Sequence, residues 1–129
     1  MIYNKEPMQV LWDLVGILEC NSLKVYKNSE NEDLDSTPDS YIILRDDVAN
    51  SPAKHGDGGV LTRISDCDIT LVSKGTSTNS KSLHNVNLKK IKERLESCGV
   101  DYYGANLGYN KELKATQYVF SIEIETVQI

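Results

Sequence analysis

Apolar residues along this chain recur with two different periods. Between Pro7 and Cys20, Met8, Leu11, Trp12, Val15 and Leu18 return at helical spacing, and Val10, Leu14 and Ile17 widen the stripe. This predicts a helix with Pro7 in its first turn, where a missing N–H costs nothing, ended by Asn21-Ser22. So wide an apolar surface packs on more than one side, either within the core or with one face on a neighbouring subunit. Leu23 and Val25 then alternate with Lys24 and Tyr26, a short strand. Tyr41-Ile-Ile-Leu44, inside Ser40–Arg45, is the continuous run of a strand covered on both faces. Val60 to Lys74 reads as one long strand whose apolar phase slips. Val60, Thr62 and Ile64 share one parity, and Cys67, Ile69 and Leu71 the other. A slip of one residue exchanges faces, so a bulge or bend is expected near Ser65-Asp66.

Gly75 to Ser82 reads as a polar loop, with Asn85 as N-cap of a second helix striped by Leu88, Ile91, Leu95 and Cys98. Gly99 stands where a left-handed C-terminal residue belongs, with Val100 packing back on the last turn. Lys89, Lys90, Lys92 and Arg94 colour the helix's outer face basic, either as a solvated face or to meet an acidic loop of a neighbour. Asp101–Ala105 is expected as a strand and Asn106–Glu112 as a turn. The last strand alternates most clearly: Tyr118, Phe120, Ile122 and Ile124 face inward against Gln117, Ser121, Glu123 and Glu125. The order α-β-β-loop-β-α-β-β predicts one α+β domain over residues 1–129. Its sheet would be mostly antiparallel, with two helices packed on one face and a long loop between the two central strands.

That loop, Asp46 to Gly59, is far longer than a tight hairpin requires. Its Asn50-Ser-Pro-Ala and Gly56-Asp-Gly-Gly stretches punctuate the chain without supplying a core. An arm of this kind is an interface element, and its candidate contact residues are Asp46, Asp47, Val48, Asn50, Pro52, Lys54, His55 and Asp57. A second loop, Lys27 to Asp39, is strongly acidic. Asp33, Asp35 and Thr37 begin a calcium-loop pattern, but the turn glycine and closing Glu are missing. A solvated acidic loop follows, with Glu30, Glu32, Asp33 and Asp35 as the candidate surface for a partner or a lumen.

The 129 residues suffice for one domain with a modest core, and 40% hydrophobic and 26% charged content is ordinary for a globular chain. A net charge of −5 opposes binding along a nucleic-acid backbone, although an acidic surface that DNA passes is compatible with it. Cys20, Cys67 and Cys98 are widely spaced with no CxxC, so they read as reduced small apolar residues, and no zinc site is expected. The longest apolar run, Val10 to Leu18, is interrupted by Asp13 and is too short to span a bilayer. No signal-peptide pattern opens the chain, which predicts synthesis and use in the cytoplasm.

Catalytic patterns are sparse: no GxSxG, HExxH, P-loop or GxGxxG occurs. Asp66-x-Asp68 and Glu123-x-Glu125 each put two carboxylates on one strand face. On neighbouring strands these four could hold Mg²⁺ in a small metal-dependent nuclease. Strand alternation alone also explains them. His55 lies in the glycine-rich loop and His84 at a helix entrance, neither with a fixed partner in sequence.

Taken together, several features resemble the small tail-completion proteins of long-tailed bacteriophages, the tail-terminator and head–tail joining family. They are the N-terminal helix, the Tyr41–Arg45 strand, the Asp/Gly/Pro arm, the strand carrying Asp66 and Asp68, the helix closed by Cys98-Gly99, and the Gln117-Tyr-Val-Phe-Ser-Ile-Glu strand. The resemblance implies an α+β fold and a hexameric ring at the top of the tail tube, joined to the head connector. DNA would pass through the ring without specific binding. It implies a virion protein without catalytic activity or cofactor, with tail-tube and connector or completion proteins as partners. A head-completion or stopper protein at the same junction is the neighbouring alternative. Deleting Asn50 to Gly58 is expected to leave a folded chain by circular dichroism that no longer assembles by light scattering.

Overall fold

The structure, a computed structural model, describes residues 2–20, 23–27, 39–46, 54–55, 61–74, 78–112 and 114–127. The order is β1 (Ile2–Tyr3), α1 (Pro7–Val15), a 3-10 turn (Gly16–Leu18), β2 (Leu23–Lys27), β3 (Ser40–Arg45) and β4 (Lys54–His55). It continues with β5 (Leu61–Lys74), α2 (Thr78–Ser97), β6 (Tyr103–Asn110) and β7 (Ala115–Val127). The two longest alternating segments of the sequence become the two longest strands, and these pair with each other. β5 and β7 run antiparallel in unbroken register from Thr62↔Val127 to Lys74↔Ala115.

Each long strand carries two shorter ones end to end along its other edge. β5 holds β4 and then β3, and β7 holds β6 and then β1. With β2 beyond β3, the result is one seven-stranded sheet in the order β1-β7-β5-β3-β2. Twist accumulates along such long strands, and the sheet curls into a half-barrel.

The expected fold class is therefore corrected. The sheet is mixed, strands dominate the fold, and the expected arrangement of two helices layered on one face of a mostly antiparallel sheet is not what forms. Two parallel pairings make the difference. β2 lies parallel to β3, Leu23↔Ser40 to Lys27↔Leu44, because residues 28–39 are enough chain to return to the starting end. β1 lies parallel to β7, Ile2↔Glu125, pairing the two ends of the chain. Neither pairing follows from element order. α1 reaches β3, β5, β7 and α2, while α2 packs on β5.

The core joins α1 (Val10, Leu11, Leu14, Val15), α2 (Ile91, Leu95) and the inward parity of the strands. Across the sheet this parity reads Leu44, Ile69 and Phe120 in one row, with Cys67 and Ile122 in the next. Phe120 is fully buried, flanked by Tyr102 at 5.3 Å and Tyr118 at 4.9 Å between ring centroids. β3 is covered on both faces, as its continuous apolar run predicts: Ile42 and Leu44 join the main core, and Tyr41 packs with Val72 and Ala115 on the other side.

Several boundaries differ from the pattern reading. α1 stops at Val15 rather than Cys20. Trp12 lies over Gly16, whose absent Cβ would sit 2.8 Å from the indole, and the chain tightens there into the 3-10 turn. α2 begins at Thr78, so part of the expected polar loop is helical and Asn85 is no N-cap. No bulge interrupts β5 at Ser65-Asp66. The ladder stays in register, and the slip is met by burying Ser65 and leaving Ile64 half-exposed. The bulge lies instead in β6, between Asn106 and Gly108. Gly108 takes φ +73° there, inside a strand where a turn was expected.

The C-terminus of α2 ends as its sequence predicts. Gly99 adopts φ +70°, the Gly99 amide donates to Glu96 O, and the Val100 amide donates to Leu95 O. The basic face is different from its expectation. Arg94 turns inward and its guanidinium donates to Leu14 O at 2.7 Å and Asp13 O at 3.2 Å, satisfying carbonyls at the end of α1. Lys92 lies over the Tyr118 ring at 5.4 Å. Only Lys89 and Lys90 of that group stay exposed.

Replacing Arg94 by Met should lower unfolding stability by about 1.5–3 kcal/mol in urea titrations, because charge-assisted bonds to the α1 carbonyls are lost. Arg94→Lys should rescue little, since an ammonium lacks the two-pronged geometry. A Met variant as stable as the parent would show that the contact contributes nothing.

Candidate functional site

One concave feature among the described residues arises from the way β7 is partnered. On one side it pairs with β5 throughout. On the other, β6 reaches only to Tyr103↔Ser121, and β1 begins at Ile2↔Glu125. Between them, among the described residues, Ile122–Ile124 has no strand neighbour on that edge. The C-terminal turn of α2 at Gly99-Val100 brings Asp101 and Tyr102 up to this gap, and β1 places Tyr3 on its far side. The result is an open groove of about 450 Å³, lined chiefly by Tyr3, Asp101, Tyr102, Tyr103, Ser121 and Glu123.

The walls differ in rigidity. Tyr102 is held by its edge contact with Phe120 and by its hydroxyl, which donates to Glu96 Oε1 at 3.3 Å. Desolvation, with the Glu96 carboxylate beside it, pushes the Tyr102 phenol above its ordinary range. Tyr103 stands free, 75% exposed. Asp101 and Glu123 are both exposed, and among the described residues neither is paired with a cation. Tyrosine faces and unneutralised carboxylates suit a cationic group, through ring quadrupoles and charge-assisted hydrogen bonds.

The four carboxylates considered for a metal are partly brought together. Asp66 and Glu123 are direct partners across β5 and β7. Asp68, however, faces Ser121, whose hydroxyl donates to its Oδ1 at 3.2 Å, and has Arg45 as its other cross-strand partner. Glu125 is opposite Ile64. Among the described residues no three potential ligands cluster closely enough to hold a metal ion.

Of the arm, Asp46 is half-buried, and its carbonyl lies 3.6 Å from the Cys67 thiol. Lys54 and His55 form β4, pairing with Thr62 and Leu61, so the expected loop contains a short strand. Asp47, Val48, Asn50, Pro52 and Asp57 lie outside the described residues, as do Glu30, Glu32, Asp33 and Asp35 of the acidic loop. Of the three cysteines, Cys67 is buried, Cys98 half-buried and Cys20 exposed.

One polar group escaped the sequence reading. His84 has fixed partners: its Nδ1 lies 2.7 Å from Ser73 Oγ, which lies 3.2 Å from Ser40 Oγ, which accepts from Asn87 Nδ2 at 2.9 Å. All four residues are buried. The chain can run in one direction, with Asn87 donating to Ser40, Ser40 to Ser73, and Ser73 to His84 Nδ1. That assignment keeps the imidazole neutral with its proton on Nε2. Burial itself pushes His84 below its ordinary 6.5. The Ser–His distance is that of a nucleophile and its base, but Ser73 is only 2% exposed. The chain of bonds fastens α2 to β3 and β5. Its signal was present in the sequence, since His84 and Asn87 extend the stripe of Leu88, Ile91 and Leu95 by one turn.

No protein-family model and no characterised protein matches the chain.

Because the folded chain holds His84 neutral, the unfolded chain takes up that proton first as pH falls. This contribution to stability is full above 6.5 and is lost as pH drops toward the lower folded value. Unfolding free energy should therefore fall below 6.5 with a slope of up to about 1.4 kcal/mol per pH unit from this group. His84→Asn, which keeps an acceptor for Ser73, should flatten that slope; an unchanged profile would remove His84 as its source.

Proposed function

We propose that this chain is a structural assembly protein that builds closed rings, in the manner of the bacteriophage tail-completion proteins it resembles. In this reading it forms a hexamer at the head–tail junction of a virion, against tail-tube and connector proteins, with DNA passing through. The observation that carries the reading is the distribution of exposed apolar side chains. Of six large hydrophobics exposed among the described residues, four lie on one sheet edge: Ile2 of β1, and Tyr103, Leu107 and Tyr109 of β6. An open strand edge that is also apolar is a template for another chain.

The opposite edge is unlike it. There β2 ends the sheet, and the Glu19 carboxylate accepts the Val25 amide at 3.0 Å, blocking part of that edge. A sheet with two different edges favours head-to-tail contact, which closes into a ring when the rotation allows. The net charge of −5 suits a channel that DNA traverses without sticking.

Sedimentation velocity and native mass spectrometry test this directly. The parent chain should form rings at micromolar concentration, and Tyr103→Ser with Leu107→Asp should leave a folded monomer. Each buried apolar contact is worth about 1–2 kcal/mol at an interface, so each change should weaken assembly roughly tenfold. A parent chain that stays monomeric at every concentration would overturn the proposal.

A further inference from the structure

Resting on the ring-forming reading, we propose that the tyrosine-walled groove is a socket for the Lys90 side chain of a second copy, presented on α2 beside Val86. Both halves of this contact stand unpartnered on the molecule. In the groove, Asp101 and Glu123 have no counter-charge among the described residues. Glu123 gains a further carboxylate across the sheet in Asp66, so acidic groups cluster there. On α2, Lys89 pairs with Glu93 at 3.8 Å, Lys92 lies over Tyr118, and Arg94 caps the end of α1. Lys90 is exposed and, among the described residues, has no such partner. One turn before it stands Val86, 51% exposed and outside the β1/β6 edge that holds most of the other exposed apolar residues.

The chemistry of the two surfaces matches. A lysine carries its charge on an apolar stem, so Val86 and the Lys90 methylenes can lie against tyrosine faces while the ammonium reaches the carboxylates. The contact cannot be made within one chain. The groove begins where α2 ends, and about 10 Å of helix axis separates Lys90 from Ser97. Socket and knob are different surfaces, so their union can run head-to-tail and propagate around a ring. The groove also adjoins the apolar edge, since Tyr103 belongs to both. A local opposite-charge contact further explains how copies that each carry −5 could approach.

Charge reversal in the full chain tests the pairing. Glu123→Lys with Asp101→Asn, and separately Lys90→Glu, should each weaken assembly roughly tenfold or more by sedimentation velocity, and added salt should weaken the parent. All three positions are exposed, and unchanged thermal melts would establish that folding is intact. Glu123→Lys and Lys90→Glu together in one chain should restore much of the lost affinity. If the parent forms rings and the groove variant does so equally well, the socket is wrong while the ring reading stands. If both single-sided variants fail and the double reversal does not recover, the pairing is wrong. If the parent itself never assembles, the ring reading falls and takes this contact with it.

Discussion

The antiparallel ladder between β5 and β7 is the constraint on which the rest of the structure depends. It runs without a break from Thr62↔Val127 to Lys74↔Ala115, and every other strand except β2 attaches to one of the two. Because register fixes which side chains face inward, this ladder decides that Cys67, Ile69 and Leu71 meet Ile122, Phe120 and Tyr118 on the core side. It decides equally that Asp66, Asp68, Ser121 and Glu123 share the other face. The acidic character of that face is thus a consequence of register and alternation.

The helices are tied to this ladder by polar as well as apolar contacts. Ser40 and Ser73 sit opposite each other on β3 and β5, and His84 and Asn87 come down on them from α2. A buried hydrogen-bond network of this kind specifies one position for the helix, whereas an apolar contact alone would tolerate sliding. At the far end of the same helix, Arg94 grips the last carbonyls of α1. The two attachments fix α2 at both ends. That placement sets where Gly99 turns the chain, and with it one wall of the groove.

The groove and the apolar edge share one origin. β7 is longer than either strand that lines its outer side, so β6 and β1 leave a gap, and the gap is walled by whatever residues begin and end those strands. Tyr103 belongs to both features. Tyr118 holds β6 close at Gly104, where a Cβ would fall on the Tyr118 hydroxyl. The assembly proposed through this edge would use side chains that the monomer's own packing leaves outside.

Local pattern in the sequence determined a good deal by itself. It marked β2, β3 and β5 to within a residue or so, the inward parity of β7, the double coverage of β3 and the glycine-ended turn after α2. Each of these rests on neighbouring residues: alternation, a continuous apolar run, or a glycine free to adopt positive φ. What it could not determine depends on contacts between distant segments. The parallel pairing of β2 with β3 requires knowing where residues 28–39 carry the chain. β1 is two residues long and exists only because β7 offers it an edge. His84 finds its partner eleven residues away at Ser73, because α2 folds back across β5. Arg94 reads as a surface cation until α1 is packed beneath it. The groove was invisible for the same reason: Tyr3 lies most of the chain away from Asp101 and Glu123, and only the unequal lengths of paired strands bring them to one place.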